Sequence, residues 1–329
     1  MKSINRFQTS RIEDDLKKKM VFLVGPRQVG KTWLAKRISE KYKKSHYLNY
    51  DDFDHRDIIN QREWLPNTEL LVLDELHKMP EWKNYLKGLF DTKSESMKIL
   101  VTGSARLDAF RATGDSLAGR FFRHRLYPLS LAELEDQSRN TLDKLLTRGG
   151  FPEPFSSDSE QDVTRWRSQY VDVLTKDEIL DLENIRNLKA VSLLLEFLRR
   201  RVGSRISYQS LSEDIGVAPT TVKRYIDLFE SLFIIFRIQP FSKNIARSLR
   251  KEPKIYFFDN GMVIGDEGAK LENFTALSLL KNAHGRSDYT GENIELYYLR
   301  TKDEKEVDFC VSRNGEVERI IEVKSSAKE

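Results

Sequence analysis

Residues 25–32 read Gly25-Pro26-Arg27-Gln28-Val29-Gly30-Lys31-Thr32, and Trp33 follows directly. The run fits the pattern G-x-x-x-x-G-K-[ST], and an apolar segment, Met20–Val24, precedes it. The residues after it, with Leu34, Ile38 and Tyr42 spaced by four, predict an amphipathic helix. A glycine-rich turn between a strand and a helix points backbone N–H groups at phosphate oxygens. The stretch therefore predicts an α/β fold with a phosphate-binding loop, here called the P-loop.

We expect this loop, with Trp33 included, to bind ATP. Lys31 would reach the β- and γ-phosphates, and Thr32 would ligate Mg²⁺. A second apolar run ends in Asp74 and Glu75, which predicts a strand that brings Asp74 to the Mg²⁺ shell and Glu75 to the attacking water as a general base. The chain contains no Asn-Lys-x-Asp motif, and this favours ATP over GTP.

Two further candidates for catalysis lie downstream. Ser104, with Thr102 as second choice, follows an apolar run and is expected to sense the γ-phosphate. Turn formation explains the same small residues equally well. Arg120 is expected to supply positive charge to the γ-phosphate, either in its own chain or across an oligomer interface. An ordinary surface or ion-paired arginine is the alternative.

Short apolar runs alternate with amphipathic stretches between Met20 and Leu126. This pattern predicts a parallel sheet covered by helices, as in P-loop domains of the AAA+/ASCE type, with one strand inserted between the P-loop strand and the Asp74 strand. The predicted strands are Met20–Val24, 47–49, 70–73, 99–101 and 123–126.

The whole chain divides into four predicted parts. They are a P-loop ATPase domain (1–135), a helical lid and linker (136–202), a winged helix (203–260) and an α/β nuclease-like domain (261–329). Ser130 and Glu133 form a capping-box pattern that predicts a helix running toward Leu146. The last part is expected to contain a helix followed by three strands.

Residues 207–230 have the spacing of a helix-turn-helix, with Gly216 at the turn. If the second helix enters a DNA groove, basic residues would contact phosphates or bases. The expected contacts are Lys223 and Arg224 on that helix and Lys243, Arg247, Arg250 and Lys251 in a basic wing. Such modules also serve as structural lids or as protein contacts, so double-stranded DNA is one of the partners that the pattern allows.

Carboxylates flank a turn at Asn314-Gly315 near the end of the sequence. A three-residue loop would let the two apolar strand faces share a core, and would put Asp308, Glu322 and Lys324 together on the opposite face. Such a group could hold a divalent metal for phosphodiester cleavage, with Glu272 as an additional ligand. Alternating charge on a solvent-facing hairpin produces the same residues.

Composition describes an ordinary soluble protein of 329 residues, with 55 Lys and Arg, 51 Asp and Glu, and 39% apolar residues. Cys310 is the only cysteine, which excludes a disulfide framework and fits a reducing compartment. Neither a secretory signal nor a membrane-length apolar run is present, so we expect a cytoplasmic location and no membrane partner. The sequence stops five residues after Lys324, so we expect the nuclease-like part to be truncated or degenerate.

The motifs together resemble a family of prokaryotic AAA+-type ATPases that join a P-loop domain to a winged helix and a PD-(D/E)xK nuclease-like domain. The resemblance rests on six stretches, namely 25–32, 73–75 with 79–82, 102–104, 117–120 with 128–130, 148–152, and 306–309 with 322–324. It implies an ATP site at the residues given above. The nuclease assignment comes from fold analogy and implies no particular biological role.

Three functions fit the sequence. The first is an ATPase that acts on DNA or is regulated by it, and the second is a nucleotide-controlled switch that engages a protein partner without nuclease chemistry. The third is a small-molecule kinase, which explains Asp74 and Glu75 less well and leaves the helix-turn-helix pattern unused. A possible homo-oligomer remains compatible with each of them.

Overall fold

The computed structural model describes residues 4, 6–103, 117–174, 187–242, 252–300 and 305–325. Its backbone divides into two compact units, Lys2–Tyr127 and Pro128–Glu329, here called the first and second units. Among the helices of these described ranges, none is long and apolar enough to cross a bilayer.

The first unit is a five-stranded parallel sheet with helices between the strands. Its elements are α1 (Thr9–Leu16), β1 (Met20–Val24), α2 (Lys31–Ser39), β2 (Ser45–Asn49), α3 (Phe53–Gln61), β3 (Leu70–Asp74), α4 (Trp82–Thr92), β4 (Lys98–Gly103) and β5 (Phe121–Arg125). The strand order is β2-β3-β4-β1-β5. The prediction of a strand inserted between the P-loop strand and the Asp74 strand is thus confirmed, and so are the five predicted strands.

Burial explains this arrangement of strands. All five residues of β1 and of β3 are buried, as expected for central strands covered on both faces. β2 is more polar and half-buried, which suits its position at the edge of the sheet. The amphipathic α4 closes one face by burying Trp82, Leu86 and Leu89. The sheet thereby aligns the carboxyl ends of β1, β3 and β4, where the P-loop and Asp74 lie.

The second unit begins with helices and ends with a sheet. Its elements are α5 (Arg139–Arg148), α6 (Pro152–Ser156), α7 (Glu160–Val173), α8 (Leu188–Arg199), α9 (Tyr208–Ile215), α10 (Pro219–Ser231), β6 (Ile235–Pro240), β7 (Lys254–Phe257), α11 (Glu267–Thr290), β8 (Ile294–Arg300), β9 (Glu306–Arg313) and β10 (Glu316–Ile321). The sheet order is β10-β9-β8-β6-β7. The predicted final helix and three strands are present as α11 and β8–β10.

The prediction of one continuous helix between Pro128 and Leu146 is wrong. The capping box of Ser130 and Glu133 is present, but it caps one short 3-10 helix, Leu131–Glu133, and α5 starts separately at Arg139. Glu133 also forms a buried ion pair with Lys281 of α11. This pairing ties the segment to the second unit, which includes Pro128–Glu329.

Helices α9 and α10 match the predicted helix pair. Ser207 caps α9 by accepting a hydrogen bond from the Ser210 N–H, and Gly216 ends the helix in the left-handed region with φ of 70°. The apolar residues that recur at helical spacing along both helices are buried, namely Leu211, Ile215, Val222, Ile226 and Phe229. β6 follows and pairs antiparallel with β7.

The hairpin between β9 and β10 differs from the expectation. Asn314 and Gly315 both have positive φ, so they form a two-residue turn instead of a three-residue loop. The register nevertheless shifts by one residue at a bulge between Val317 and Arg319. Val317, on the apolar face that a three-residue loop would turn toward the core, is 43% exposed, because β10 lies at the sheet edge.

Candidate functional site

The P-loop is shaped by close contact with the strand next to β1. Gly25 has φ of 151°, and a Cβ atom at this position would lie 2.1 Å from the carbonyl oxygen of Leu126. Glycine is therefore required for both its backbone angle and its lack of a side chain. Gly30 then enters α2 in the left-handed region. The turn lies between the carboxyl end of β1 and the N-terminus of α2, as a phosphate-binding loop requires.

Lys31 folds back over the loop. Its Nζ donates to the carbonyl oxygens of Gly25 at 3.0 Å and Pro26 at 2.6 Å, and the residue is buried. The ammonium group is thus held against the backbone of the P-loop, where the phosphate oxygens of a bound nucleotide would lie. The next residue but one, Trp33, is 46% exposed.

Asp74 is the last residue of β3, and its side chain contacts the P-loop. Its Oδ2 atom accepts a hydrogen bond from the Thr32 hydroxyl at 2.8 Å. Its Oδ1 atom accepts from the Thr102 hydroxyl and from the Glu75 N–H, the latter at 3.1 Å. A buried carboxylate beside a hydroxyl is a set of hard oxygen ligands, and this chemistry fits Mg²⁺. The residues present therefore suit the ion that the P-loop class uses.

Glu75 follows Asp74 in a left-handed conformation with φ of 54°. Burial raises the pKa of its carboxyl group, while the nearby Lys31 opposes that shift. His77 Nε2 lies 3.7 Å and Lys78 Nζ 3.8 Å from Glu75 Oε2. A partly desolvated carboxylate with a raised pKa has the properties of a general base.

Of the other two predicted catalytic residues, only Arg120 lies within the described residues. Ser104 lies outside the described residues, and Thr102 is engaged by Asp74 and is fully buried. Arg120 donates to both carboxylate oxygens of Asp91, at 2.9 and 3.1 Å. Its carbonyl accepts from the Met20 N–H, at the amino end of β1, whereas the P-loop follows the carboxyl end. The expectation that Arg120 serves the ATP site of its own chain is therefore wrong.

A different arrangement surrounds the carboxylates of the second unit. Lys254, only 3% exposed, lies 2.7 Å from Glu306 Oε1, 3.6 Å from Glu272 Oε1 and 3.8 Å from Asp308 Oδ1. We call these four residues the Lys254 cluster. Tyr256 donates to Glu272 at 2.7 Å, and burial raises the pKa of Glu272.

The predicted metal ligands of this unit are only partly brought together. Asp308 accepts from the Val323 N–H at 2.9 Å, while Glu322 and Lys324 are exposed. Within the described ranges, no three His, Cys, Asp or Glu side chains are arranged to hold a metal ion. The ammonium group of Lys254 lies 3.6 Å from Glu272 and 3.8 Å from Asp308, which are two of the predicted metal ligands.

The predicted DNA contacts on α10 face solvent, since Lys223 and Arg224 are both exposed. Beside α10 is a cleft of about 760 Å³ lined by residues of both signs, including Lys223, Arg237, Asp227 and Glu230. Arg237 is neutralised by Asp227 at 2.7 Å and by Glu230. The other predicted contacts lie outside the described residues, namely Lys243, Arg247, Arg250 and Lys251.

Two residues with close contacts to these sites were not singled out from the sequence. Tyr47 donates to Asp74 at 2.6 Å from β2, and Lys254 lies among three carboxylates. The signal for Tyr47 was weak, because an aromatic residue in a polar edge strand is common. For Lys254, the available signal was an isolated lysine at the start of an apolar run, Lys254-Ile255-Tyr256-Phe257-Phe258.

Comparison with known families assigns three segments. Residues 17–135 match the AAA domain family, residues 139–269 match a domain of unknown function (DUF8612), and residues 267–329 match another (DUF4143). The AAA match covers the P-loop, Asp74 and the parallel sheet. Residues 17–135 are thus similar to the AAA domain family, and this similarity, together with the P-loop and the parallel sheet, supports a nucleotide-binding ATPase domain.

Similar proteins extend over most of the chain. An uncharacterized protein of Mycobacterium tuberculosis is 27% identical over 307 residues, covering 90% of this chain and 68% of the relative. One from Methanocaldococcus jannaschii is 24% identical over 344 residues, covering 93% and 74%. The Walker-type ATPase of Pyrococcus abyssi has a TM-score of 0.49 at 13% identity, covering 79% of this chain and 95% of that one. RuvB of Thermotoga maritima has a TM-score of 0.36 at 16% identity, covering 71% and 90%.

Proposed function

We propose that the protein is a Mg²⁺-dependent ATPase whose activity lies in the first unit. The observation that carries the proposal is the hydrogen bond from Thr32 to Asp74, because it joins the P-loop to the acidic end of β3. Glu75 is the next residue in the sequence, and burial raises the pKa of its carboxyl group. A phosphate-binding loop, a metal-binding carboxylate and a neighbouring base are the parts that phosphoryl transfer to water needs.

Each residue has a role in the proposed reaction. The P-loop N–H groups and Lys31 bind and orient the β- and γ-phosphates. Mg²⁺, held by Thr32 and Asp74, would offset the charge of the phosphate oxygens when bound. Glu75 orients the attacking water and accepts its proton, which forms ADP and inorganic phosphate. Catalysis is mostly positioning and electrostatic stabilisation in this class of reaction.

Replacing Lys31 tests this assignment. Lys31→Ala should abolish Mg²⁺-dependent release of phosphate and weaken ATP binding, since it removes the charge that the loop holds in place. Lys41→Ala is the matched control, because Lys41 is an exposed lysine that follows the end of α2 and is paired with Glu13. Equal loss of activity in both variants, or full activity in Lys31→Ala, would reject the assignment.

We further propose that double-stranded DNA is the macromolecular partner. In this proposal α9, α10 and the strands after them act as a winged helix, and Lys223 and Arg224 contact phosphates or bases. Their exposure on the outer face of α10 supports it. Arg237, which lines the nearby cleft, is paired with Asp227 and Glu230, so we assign no DNA contact to it.

The DNA proposal predicts a salt effect. Lys223→Ala with Arg224→Ala should weaken binding to a DNA duplex and reduce the slope of log affinity against log salt by about two. Lys189→Ala with Lys270→Ala removes the same charge elsewhere on the second unit and should change neither quantity. Unchanged affinity and slope in the Lys223 and Arg224 variant would reject the proposal.

One observation favours the switch hypothesis over nuclease action. The ammonium group of Lys254 lies 2.7 to 3.8 Å from the carboxylates of Glu272, Glu306 and Asp308. A carboxylate group that is already paired with a buried ammonium has little to offer a divalent cation. In this second candidate function, ATP binding controls how the chain engages a protein partner, and the nuclease-like part is degenerate and does not cut DNA.

Incubation with DNA and Mg²⁺ or Mn²⁺ distinguishes the switch from a nuclease. The second candidate predicts no cleavage by the wild type, and the same result for Asp308→Ala. Metal-dependent cleavage that disappears in Asp308→Ala would instead support a nuclease and reject the paired-carboxylate argument.

A further inference from the structure

Tyr47 reaches the centre of the proposed ATPase site from the edge strand β2. Its hydroxyl donates to Asp74 Oδ2 at 2.6 Å. The same oxygen atom accepts from the Thr32 hydroxyl at 2.8 Å. One carboxylate oxygen is therefore shared by the P-loop and by a residue that comes from a different strand.

The donors around Asp74 fix the orientation of its carboxylate. Thr102 and the Glu75 N–H bind Oδ1, while Thr32 and Tyr47 bind Oδ2. An ionised carboxylate has about four acceptor sites. With two donors on each oxygen, rotation of the carboxylate would break several charge-assisted hydrogen bonds at once.

Tyr47 is itself held in place and stays a donor. The ammonium group of Lys36 on α2 lies 4.6 Å from the centre of the Tyr47 ring. Burial, followed by the Asp74 carboxylate, raises the pKa of the Tyr47 hydroxyl well above its usual value.

We infer that Tyr47 is a positioning residue of the ATPase site, which holds Asp74 Oδ2 and Thr32 in the arrangement that binds Mg²⁺. This inference rests on the proposed ATPase function. Tyr47 acts through Asp74 and does not touch the nucleotide. Its loss affects the dependence on Mg²⁺ and leaves metal-free binding of nucleotide unchanged, because the P-loop N–H groups and Lys31 do not depend on it.

The test is Tyr47→Phe, which removes one oxygen atom and keeps the ring beside Lys36. The Mg²⁺ concentration that gives half-maximal ATP hydrolysis should rise roughly tenfold, in keeping with the loss of one hydrogen bond to a charged group. ATP affinity in the presence of EDTA should stay within about twofold of wild type, a margin that corresponds to less than 0.5 kcal/mol.

Tyr85→Phe is the matched control. The Tyr85 hydroxyl also donates at 2.6 Å, but to the Ile59 carbonyl, so the variant loses a bond of equal length that does not involve Asp74. Its Mg²⁺ dependence should equal that of wild type, and thermal unfolding of both variants measures any general loss of stability. Equal Mg²⁺ dependence in Tyr47→Phe and Tyr85→Phe would overturn the inference about Tyr47. Absence of ATP binding in the wild type would instead reject the proposed ATPase.

Discussion

Thr32 and Asp74 are 42 positions apart in sequence, yet their side chains form a 2.8 Å hydrogen bond. The bond forms because β1 and β3 end at the same edge of the sheet with only β4 between them. Thr102 at the end of β4 also donates to Asp74. The parallel sheet thus brings three separate sequence motifs to one carboxylate.

Gly25→Ala should disrupt the P-loop through a direct clash. The new Cβ atom would lie 2.1 Å from the Leu126 carbonyl oxygen, so the loop or β5 must shift. Gly119→Ala is the control, because Gly119 also has positive φ but has open space around it. We expect Gly119→Ala to cost about 1 kcal/mol of stability and Gly25→Ala clearly more, as measured by chemical unfolding. Equal costs would show that the contact with Leu126 does not constrain the loop.

Lys254→Met should destabilise the second unit strongly. It leaves Glu272, Glu306 and Asp308 close together without their buried counter-ion, and breaking a buried ion pair costs about 3–5 kcal/mol. Adding Glu306→Gln removes one of the opposing charges and should restore part of the loss. The measurement is urea unfolding of the single and double variants.

Lys189→Met is the control for the Lys254 cluster, because it removes an exposed lysine from the same unit. It should change stability by less than about 0.5 kcal/mol. If Lys254→Met is no worse than this control, or if Glu306→Gln makes it worse, the ion pairs contribute no stability.

Arg120→Ala should leave ATP hydrolysis within about threefold of wild type, a change of less than 1 kcal/mol in the barrier. The reason is that Arg120 lies at the amino end of β1 and pairs with Asp91. Asp91→Asn should have the same small effect, because it breaks the same pair. A loss of hydrolysis of a hundredfold or more in Arg120→Ala alone would show that Arg120 reaches an ATP site in another copy of the chain.

The sequence predicts the sheet and the P-loop of the first unit because their signals are local. Met20–Val24 and the Asp74 strand are continuous apolar runs, and the P-loop is one short motif between a strand and a helix. Parallel order then follows from the alternation of strands and helices. These features alone predict Lys31, Thr32, Asp74 and Glu75 as residues of an ATP site.

The remaining features depend on contacts between distant residues. Tyr47 acquires its role only when β2 pairs with β3, and nothing in its own neighbourhood in the sequence indicates Asp74 as a partner. Lys254 and Glu306 are similarly far apart until the second sheet forms. The bulge after Val317 could not be foreseen, because a three-residue loop and a two-residue turn with a bulge give the same register farther along the strands.

The most direct test compares ATP binding and ATP hydrolysis in wild type and Glu75→Gln with Mg²⁺ present. Glu75→Gln keeps the shape of the side chain but cannot accept a proton. The proposed mechanism predicts Mg²⁺-dependent turnover by the wild type, and in Glu75→Gln unchanged ATP affinity with turnover reduced by about a hundredfold or more. Full turnover by Glu75→Gln, or no Mg²⁺-dependent ATP hydrolysis by the wild type, would contradict it.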